Sequence, residues 1–294
     1  MGTHLARRSG TITRKGKAVD SQIQRVAIVT GASSGIGEAT AHALLARGWR
    51  VYGASRSDSG RIAAERFHFL ALDVTDDDAV RVGVDHVRGR EGRIDLVVNN
   101  AGFSLVGAVE DTNDGEVAAQ LDVNLMGAWR MTRAVLPVMR AQGQGKGQGR
   151  IVNVGSIGGS VGLPFQAAYS ASKFALAGFT EALSAELAGS GIRAVLVEPG
   201  NCRTAIGNNR RRAAAADDSS AYATSFEHAL EVIDRDEKAG HSPQAIARAV
   251  VHAATACRPA LTIRTGPIFE RYAPLAKALV PSRWFERLLV DAYC

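Results

Sequence analysis

Short apolar segments rich in β-branched residues alternate with longer segments of helical periodicity along almost the whole chain. This alternation constrains the fold strongly, because strands separated by helices favour a parallel sheet with right-handed crossovers. The predicted strands are 25–30, 50–55, 67–72, 95–99, 150–154, 193–197 and 261–264. The predicted helices include 38–47, 116–140, 168–188, one starting at Asp76 and one opened by Ser242 and Pro243. We therefore expect one doubly wound α/β domain with a seven-stranded, mostly parallel sheet and helices on both faces.

Composition limits the domain organisation and the class of partner. The chain has 294 residues and no linker-like stretch in its middle, so a single domain is expected. Residues 1–25 hold most of the formal charge of +6, with six Lys or Arg against Asp20 alone. The nearly neutral remainder argues against a nucleic-acid-binding protein. We expect 1–23 to be a disordered basic extension rather than a transit peptide, 24–266 the main domain, and 267–294 a helical segment of it.

Cysteine usage and hydropathy bear on location. The three cysteines, Cys202, Cys257 and Cys294, are widely spaced, so they indicate neither a metal site nor a disulfide framework. A reduced, cytoplasmic location fits best, and no metal is expected. The longest charge-free stretch, 151–172, is interrupted by glycines and hydroxyl residues, so no membrane-spanning segment is expected.

A glycine-rich turn joins the first predicted strand to the first helix. Glycines at 31, 35 and 37 would let backbone N–H groups approach a pyrophosphate at the positive end of that helix. The spacing differs from G-x-G-x-x-G, and a plain glycine turn is the alternative. The context of strand before and helix after favours a nucleotide site. Its candidate residues are Gly31, Ser33, Ser34, Gly35, Ile36 and Gly37.

The end of the second strand indicates which dinucleotide would bind. An acidic residue there would bind the ribose 2′-OH of NAD, whereas an arginine can bind the 2′-phosphate of NADP. The sequence has Ser55 and then Arg56 at this place. We therefore expect NADP(H) to be preferred over NAD(H), the alternative being that Arg56 is merely solvated.

Tyr169 and Lys173 lie one turn apart on a predicted helix, and Ser156 lies upstream beyond a glycine-rich loop. An ammonium group beside a phenol favours the phenolate, so Lys173 is expected to lower the pKa of Tyr169 towards neutral pH. A phenol tuned in this way is a candidate general acid or base. Taken alone, the pair also fits an ordinary exposed helical turn.

Several motifs occur together and in order: Thr30-Gly-Ala-Ser-Ser-Gly-Ile-Gly37, Asp73-Val74, Asn99-Asn-Ala-Gly102, Asn124, Ser156, Tyr169-x-x-x-Lys173 and Pro199-Gly200. In this set, the chain resembles the short-chain dehydrogenase/reductase family over about residues 24–266. Its sequence around Tyr169 is most similar to those of hydroxysteroid and retinol dehydrogenases. The resemblance implies a Rossmann-type domain and an oxidoreductase.

The resemblance also implies roles. Tyr169 would exchange a proton with the substrate oxygen, Lys173 would tune Tyr169 and hold the nicotinamide ribose, and Ser156 would hold the substrate oxygen. Asn124 would hold a water linking Lys173 to solvent, although a plain polar helix residue is equally consistent. Homodimers or homotetramers through the helices that carry Asn124 and Tyr169 are common in this family.

Further cofactor contacts follow from the same resemblance. They would come from Asp73 and Val74 at the adenine, Asn99, Ala101 and Gly102 at the adenosine ribose, and Pro199, Gly200, Cys202 and Thr204 at the nicotinamide. The family usually has Ile or Val where this chain has Cys202, which puts a thiol near the site; simple burial of that thiol is the favoured interpretation.

Two segments could shape the substrate side. Residues 203–241 are expected to form a substrate lid, with 222–238 as a helix above the site. Its run Arg210-Arg211-Arg212 is expected to be a mobile, solvated basic stretch, the alternative being a grip on an acidic group. The apolar and basic segment 268–294 could close a lipophilic pocket, pack on another subunit or touch a membrane, and packing is the default.

The combined hypothesis is an NADP(H)-dependent oxidoreductase that interconverts a secondary alcohol and a ketone, or an alcohol and an aldehyde, on a hydrophobic substrate. The alternative from another class is a catalytically silent NAD(P)-binding sensor or scaffold. Sugar-nucleotide epimerisation is disfavoured by the compact substrate segment and the form of the glycine motif.

Overall fold

The computed structural model describes residues 24–143, 147–203 and 210–293. The predicted extension 1–23 and the candidate Thr204 therefore lie outside the described residues. The strands are β1 (Val26–Thr30), β2 (Arg50–Ser55), β3 (Phe67–Ala71), β4 (Leu96–Asn99), β5 (Ser104–Val106), β6 (Gly149–Val154), β7 (Ile192–Pro199), β8 (Arg210–Arg212) and β9 (Thr262–Thr265). The α-helices are α1 (Gly35–Leu45), α2 (Asp77–Glu91), α3 (Asp114–Leu121), α4 (Gly127–Ala141), α5 (Ala167–Glu186), α6 (Ala223–Ala239), α7 (Pro243–Thr255), α8 (Ile268–Leu279) and α9 (Ser282–Tyr293).

The main sheet has seven strands in the order β3-β2-β1-β4-β6-β7-β9, and each neighbouring pair is parallel. This confirms the doubly wound, seven-stranded prediction. From β1 the chain extends the sheet first towards β3 and then, from β4, towards the other edge. Such a reversal leaves a crevice at the carboxyl ends of β1 and β4, where ligands bind in open α/β sheets.

Burial on both faces explains the continuous apolar strands. In β1, Ile28 packs into a cluster with α2, α4 and α5, while Val29 packs into a second cluster with α1 and α7. Successive side chains of a strand point to opposite faces, so a strand covered on both sides needs apolar residues at every position. Both residues are fully buried.

The predicted single helix 116–140 is interrupted. Between α3 and α4 the backbone forms a π-helical turn, Asp122–Met126, which contains Asn124. The buried Asn124 accepts a hydrogen bond from Phe103 N at 3.1 Å and donates one to Phe103 O at 3.0 Å. Single π-helical turns inside α-helices are frequent at functional sites. Here the wide turn brings the Asn124 amide to the backbone that follows β4.

A second, two-stranded sheet pairs β5 with β8 in parallel. The run 210–212, expected to be mobile and solvated, therefore forms a strand, although Arg211 and Arg212 are exposed as expected. Arg210 forms ion pairs of 2.6 Å with Asp234 and with Glu237 on α6. These carboxylates, which the linear sequence separates from the arginines, fix the segment. The helix predicted at 222–238 is present as α6, while its role as a substrate lid stays a prediction.

The C-terminal segment forms the two helices α8 and α9. Helix α8 contacts the 3₁₀ turn Ile157–Gly159, and α9 packs against α6. Most of the apolar side chains of these two helices remain exposed. Across the described ranges, none of the helices combines the length and the apolarity that crossing a bilayer requires.

Candidate active site

The candidate residues converge at one edge of the main sheet. The glycine turn follows β1, Ser55 ends β2, Asp73 follows β3, Asn100 follows β4, and Ser156 follows β6. Because all these strands are parallel, their carboxyl ends share one edge. The sheet thus brings together segments that are far apart along the chain, such as those of Gly31 and Gly200, which are separated by 169 positions.

The glycine turn forms a cradle that larger residues could not form. Gly31 and Gly35 have φ values of 66° and 58°, a region that favours glycine. A Cβ on Gly37 would overlap the carbonyl oxygen of Gly31. Ser34, the N-cap of α1, makes no side-chain capping hydrogen bond. The first N–H groups of α1 are therefore available to an anion at the positive helix end.

Thr30 and Asn100, which were not among the predicted site residues, hold this turn in place. Thr30 Oγ1 accepts hydrogen bonds from the backbone N–H groups of Asn100 and Ala101, each at 3.0 Å. Asn100 Nδ2 donates to Thr30 O at 3.0 Å and to Gly31 O at 3.3 Å. The second asparagine of the Asn-Asn-Ala-Gly motif therefore ties the end of β4 to the glycine turn. Its place in that motif was the available signal.

The ends of β2 and β3 lie side by side at the predicted adenosine end. Arg56 is exposed, and its positive charge lies near enough to Asp73 to favour the carboxylate. Burial would raise the pKa of Asp73, but hydrogen bonds from Thr75 and the charge of Arg56 outweigh it and lower that pKa. Val74 is buried against Gly127. An arginine and a carboxylate thus stand next to each other at this edge.

Ser156 and Tyr169 meet at Gly158, and Lys173 lies beside the Tyr169 ring. A Cβ on Gly158 would lie 3.3 Å from a ring carbon of Tyr169 and 3.4 Å from Ser156 Oγ. Lys173 Nζ lies 5.9 Å from the centroid of the Tyr169 ring and donates a hydrogen bond of 2.9 Å to Val154 O. The three side chains therefore meet where β6 ends and α5 begins.

The pKa of Tyr169 differs from the prediction. Burial raises it, and a hydrogen bond with Ser156 lowers it only in part. Burial also lowers the pKa of Lys173 to about 8. Lys173, predicted to lower the pKa of Tyr169, does not contribute to this shift; its Nζ donates to Val154 O instead. The phenol is consequently protonated at neutral pH, as a proton donor must be.

Two buried asparagines at the site have structural partners. Asn124 Nδ2 donates to Ser172 Oγ at 3.1 Å, one residue before Lys173. Asn99 Nδ2 donates to Asn153 Oδ1 at 2.8 Å, inside the layer between sheet and helices. The side chain of Asn99, predicted to contact a ribose, is therefore engaged within the protein core.

The loop after β7, predicted to surround the nicotinamide, is tightly held. Gly200 N donates to Thr265 O at 2.7 Å, and a Cβ on Gly200 would overlap Glu270 Oε2. Cys202 is 3% exposed, and burial raises the pKa of its thiol to about 12. The thiol is therefore inert at neutral pH, consistent with simple burial.

This arrangement fits a dinucleotide. It offers a cradle of backbone N–H groups at a helix N-terminus, an arginine beyond β2, and a protonated phenol with a hydroxyl and an ammonium group beside it. Among the residues that the structure describes, no group of three or more His, Cys, Asp or Glu side chains could hold a metal ion. The chemistry that these groups can perform is proton transfer to an oxygen beside a bound cofactor.

The family model for short chain dehydrogenases matches residues 25–215. The chain belongs to this family and is an oxidoreductase, as the motifs predicted. It is 36% identical over 265 residues to the 3-ketodihydrosphingosine reductase of Bacteroides thetaiotaomicron, covering 90% of this chain and 96% of that protein. It is 33% identical over 270 residues to human 17-beta-hydroxysteroid dehydrogenase type 1, covering 86% of this chain and 80% of that protein.

Solved structures agree with the fold. A short-chain dehydrogenase from Streptomyces avermitilis superposes with a TM-score of 0.78 at 32% identity, covering 92% of this chain and 96% of that one. Two Burkholderia relatives, at 25% and 29% identity, were solved with NAD and with NADP respectively. Dinucleotide binding is thus common to these relatives, while the choice between the two cofactors varies.

Proposed function

We propose that this chain is an NADP(H)-dependent reductase that converts the ketone of a hydrophobic substrate to a secondary alcohol, or runs the reverse reaction. The observation that carries the proposal is the meeting of Ser156 and Tyr169 at Gly158, with Lys173 Nζ 5.9 Å from the centroid of the Tyr169 ring. These side chains lie at the same sheet edge as the glycine turn. The Streptomyces and human relatives are both named as dehydrogenases, and the Bacteroides relative as a ketone reductase.

The residue roles follow from this geometry. The N–H groups of the turn Gly31–Gly37 would bind the pyrophosphate, and Arg56 the 2′-phosphate. The nicotinamide ring, when bound, supplies or accepts the hydride. Ser156 would donate a hydrogen bond to the substrate oxygen, and Tyr169 would donate its proton to that oxygen. Lys173, charged at neutral pH, would stabilise the phenolate that remains.

A protonated phenol is the state of Tyr169 from which the reduction of a ketone starts. Burial raises the pKa of Tyr169, so the side chain carries the proton that an incoming carbonyl oxygen needs. Oxidation of an alcohol would require the phenolate, which burial disfavours. The name of the Bacteroides relative, a reductase of a keto group, agrees with this direction.

The apolar character of the substrate is supported by a third cluster of apolar side chains, which includes Ala168, the residue before Tyr169. Phe165 and Phe226 pack with ring centroids 5.6 Å apart, and Phe103 and Ala168 join the same cluster. Both Phe103 and Phe165 lie in loops at the carboxyl edge of the sheet. A steroid, retinoid or long-chain ketone matches such surroundings better than a sugar does.

The test is NADPH oxidation with a panel of steroids, retinoids, aliphatic ketones and sugars, using the wild type and Tyr169→Phe. We expect turnover of apolar ketones and a loss of about 10²–10⁴-fold in the variant, with NADPH binding retained. Binding of NADPH without turnover of any ketone or alcohol would favour the sensor or scaffold. A Tyr169→Phe variant as active as the wild type would refute the assigned proton donor.

We also propose a homo-oligomer and a cytoplasmic location. Trp129 on α4 and Phe174 on α5 are 47% and 39% exposed, and Trp129 stacks on Phe179 with centroids 5.0 Å apart. An exposed aromatic patch on these two helices supports pairing through them.

Cys202 and Cys257 are free thiols, which supports a reducing compartment. Cell fractionation tests the location.

A further inference from the structure

We propose that Glu270, on the C-terminal helix α8, is a positioning residue that holds the loop Pro199–Cys202 in the shape that receives the nicotinamide half of the dinucleotide. The inference rests on the proposed function, because that function places the nicotinamide at this loop. It adds a side chain outside the matched family segment, which ends at residue 215.

The Glu270 carboxylate grips one residue of the loop through both oxygens. Its Oε2 accepts a hydrogen bond of 3.0 Å from Asn201 N, and its Oε1 accepts one of 2.8 Å from Asn201 Nδ2. Hydrogen bonds to a charged group are stronger than neutral ones, and two parallel bonds fix orientation as well as distance. The position of Asn201 relative to α8 is therefore set by this pair.

Two glycines make room for the carboxylate. A Cβ on Gly200 would overlap Glu270 Oε2, and a Cβ on Gly266 would lie 2.7 Å from it. Glu270 is only 9% exposed, and none of the described Lys or Arg residues pairs with it. Burying an unpaired carboxylate costs free energy, so a merely structural contact would be served better by an apolar side chain.

The other hydrogen bonds that the described residues make to this loop are between backbone groups. Gly200 N donates to Thr265 O at 2.7 Å, and His241 N donates to Asn201 O at 2.9 Å. These bonds attach the loop to β9 and to the segment before α7. Among the described residues, Glu270 supplies the side-chain contact to the backbone N–H of Asn201, so it is the point at which the loop can be loosened by substitution.

The second contact of α8 supports its role as a brace for the site. Lys277, two turns after Glu270 on the same face of the helix, donates a hydrogen bond of 2.9 Å to Ser160 O. Ser160 ends the 3₁₀ turn that begins after Ser156. One helix thus touches both the loop beside the nicotinamide and the loop that carries the serine.

The experiment measures binding rather than turnover. NADPH and the fragment 2′,5′-ADP are titrated against the wild type, Glu270→Gln, and the matched control Glu286→Gln, whose carboxylate is exposed on α9. Glu270→Gln removes the negative charge from both hydrogen bonds to Asn201, and its N–H₂ finds an acceptor there only if the Asn201 amide turns over. We expect the affinity for NADPH to fall about tenfold or more, since a charge-assisted bond is lost. The affinity for 2′,5′-ADP, which lacks the nicotinamide half, should stay within about twofold.

A second substitution that restores NADPH affinity distinguishes a positioning role of Glu270 from a general disruption of the fold. In the double variant Glu270→Gln with Asn201→Asp, donor and acceptor are exchanged, and most of the NADPH affinity should return. Equal NADPH affinity in the wild type and Glu270→Gln would overturn the inference, as would an equal loss for 2′,5′-ADP or the absence of rescue. A wild type that binds neither NADPH nor NADH overturns the proposed function together with this inference. If it binds NADH alone, only the cofactor preference fails, and the same comparison with NADH and 5′-AMP decides the role of Glu270.

Discussion

Replacing Lys173 by methionine should change how the stability of the fold depends on pH, because the Lys173 ammonium group is buried. The residue is 7% exposed, and burial lowers its pKa from 10.5 to about 8. One pKa unit corresponds to about 1.4 kcal/mol, so keeping this lysine charged in the folded protein costs about 3 kcal/mol at neutral pH. The fold bears this cost at its proposed active site.

The direction in which stability changes with pH follows from the pKa of Lys173 in the folded and in the unfolded chain. Between about 8 and 10.5 the unfolded chain binds more protons at Lys173 than the folded chain does, so stability rises with pH across that window. The destabilisation is complete below the folded pKa and absent above the unfolded one. About 1 kcal/mol of it should be relieved between about pH 7 and about pH 9.

Urea unfolding of the wild type, Lys173→Met and Lys238→Met at several pH values in this range measures the effect. The stability advantage of Lys173→Met over the wild type should shrink by about 1 kcal/mol as the pH rises. The variant also loses the hydrogen bond to Val154 O, which shifts its absolute stability. The slope of stability with pH depends only on proton binding, so the difference in slope reports the titration of Lys173. Lys238 is exposed on α6, and its variant should run parallel to the wild type. Parallel curves for Lys173→Met and the wild type would refute the reasoning.

Three further outcomes are expected. Gly37→Ala should weaken dinucleotide binding at least about tenfold in a fluorescence titration, because its Cβ would overlap Gly31 O; unchanged affinity would contradict the proposed cradle. Arg56→Ala should weaken NADPH binding about tenfold and leave NADH binding unchanged, and an equal effect on both cofactors would exclude recognition of the 2′-phosphate. Trp129→Glu should dissociate the proposed oligomer in light scattering, since it places a charge in the exposed aromatic patch; a variant that keeps the wild-type mass would move the interface elsewhere.

The sheet could be predicted because its signal is local. Each strand is a short apolar run, and strand alternation with helices leaves few arrangements for a parallel sheet. The meeting of Ser156 with Tyr169 was also accessible, through motifs whose order carries the family resemblance. The glycine turn at Gly31 could also be predicted from local sequence, because its glycines lie between a predicted strand and a predicted helix.

The features that were missed depend on partners far away along the chain. The two acids that fix Arg210 lie on α6, 24 and 27 residues later. The π-helical turn at Asn124 depends on the backbone of Phe103, and the direction of the Tyr169 pKa shift depends on burial and on where Lys173 points. None of these quantities has a local pattern in the sequence, because each is set by packing between elements.

Residues inside and outside the segment matched by the family model contribute differently to the candidate site. The segment matched by the family model, 25–215, contains the glycine turn and the trio Ser156, Tyr169 and Lys173, to which the proposed function assigns cofactor binding and proton transfer. Glu270 and Lys277 of α8 lie beyond that segment and hydrogen-bond the loop after β7 and the turn after Ser156. If the proposed function holds, substitutions in α8 would change how substrate and cofactor are held without replacing a reacting group. Exchanging α8 and α9 between relatives should therefore alter KM and cofactor affinity more than the identity of the proton donor.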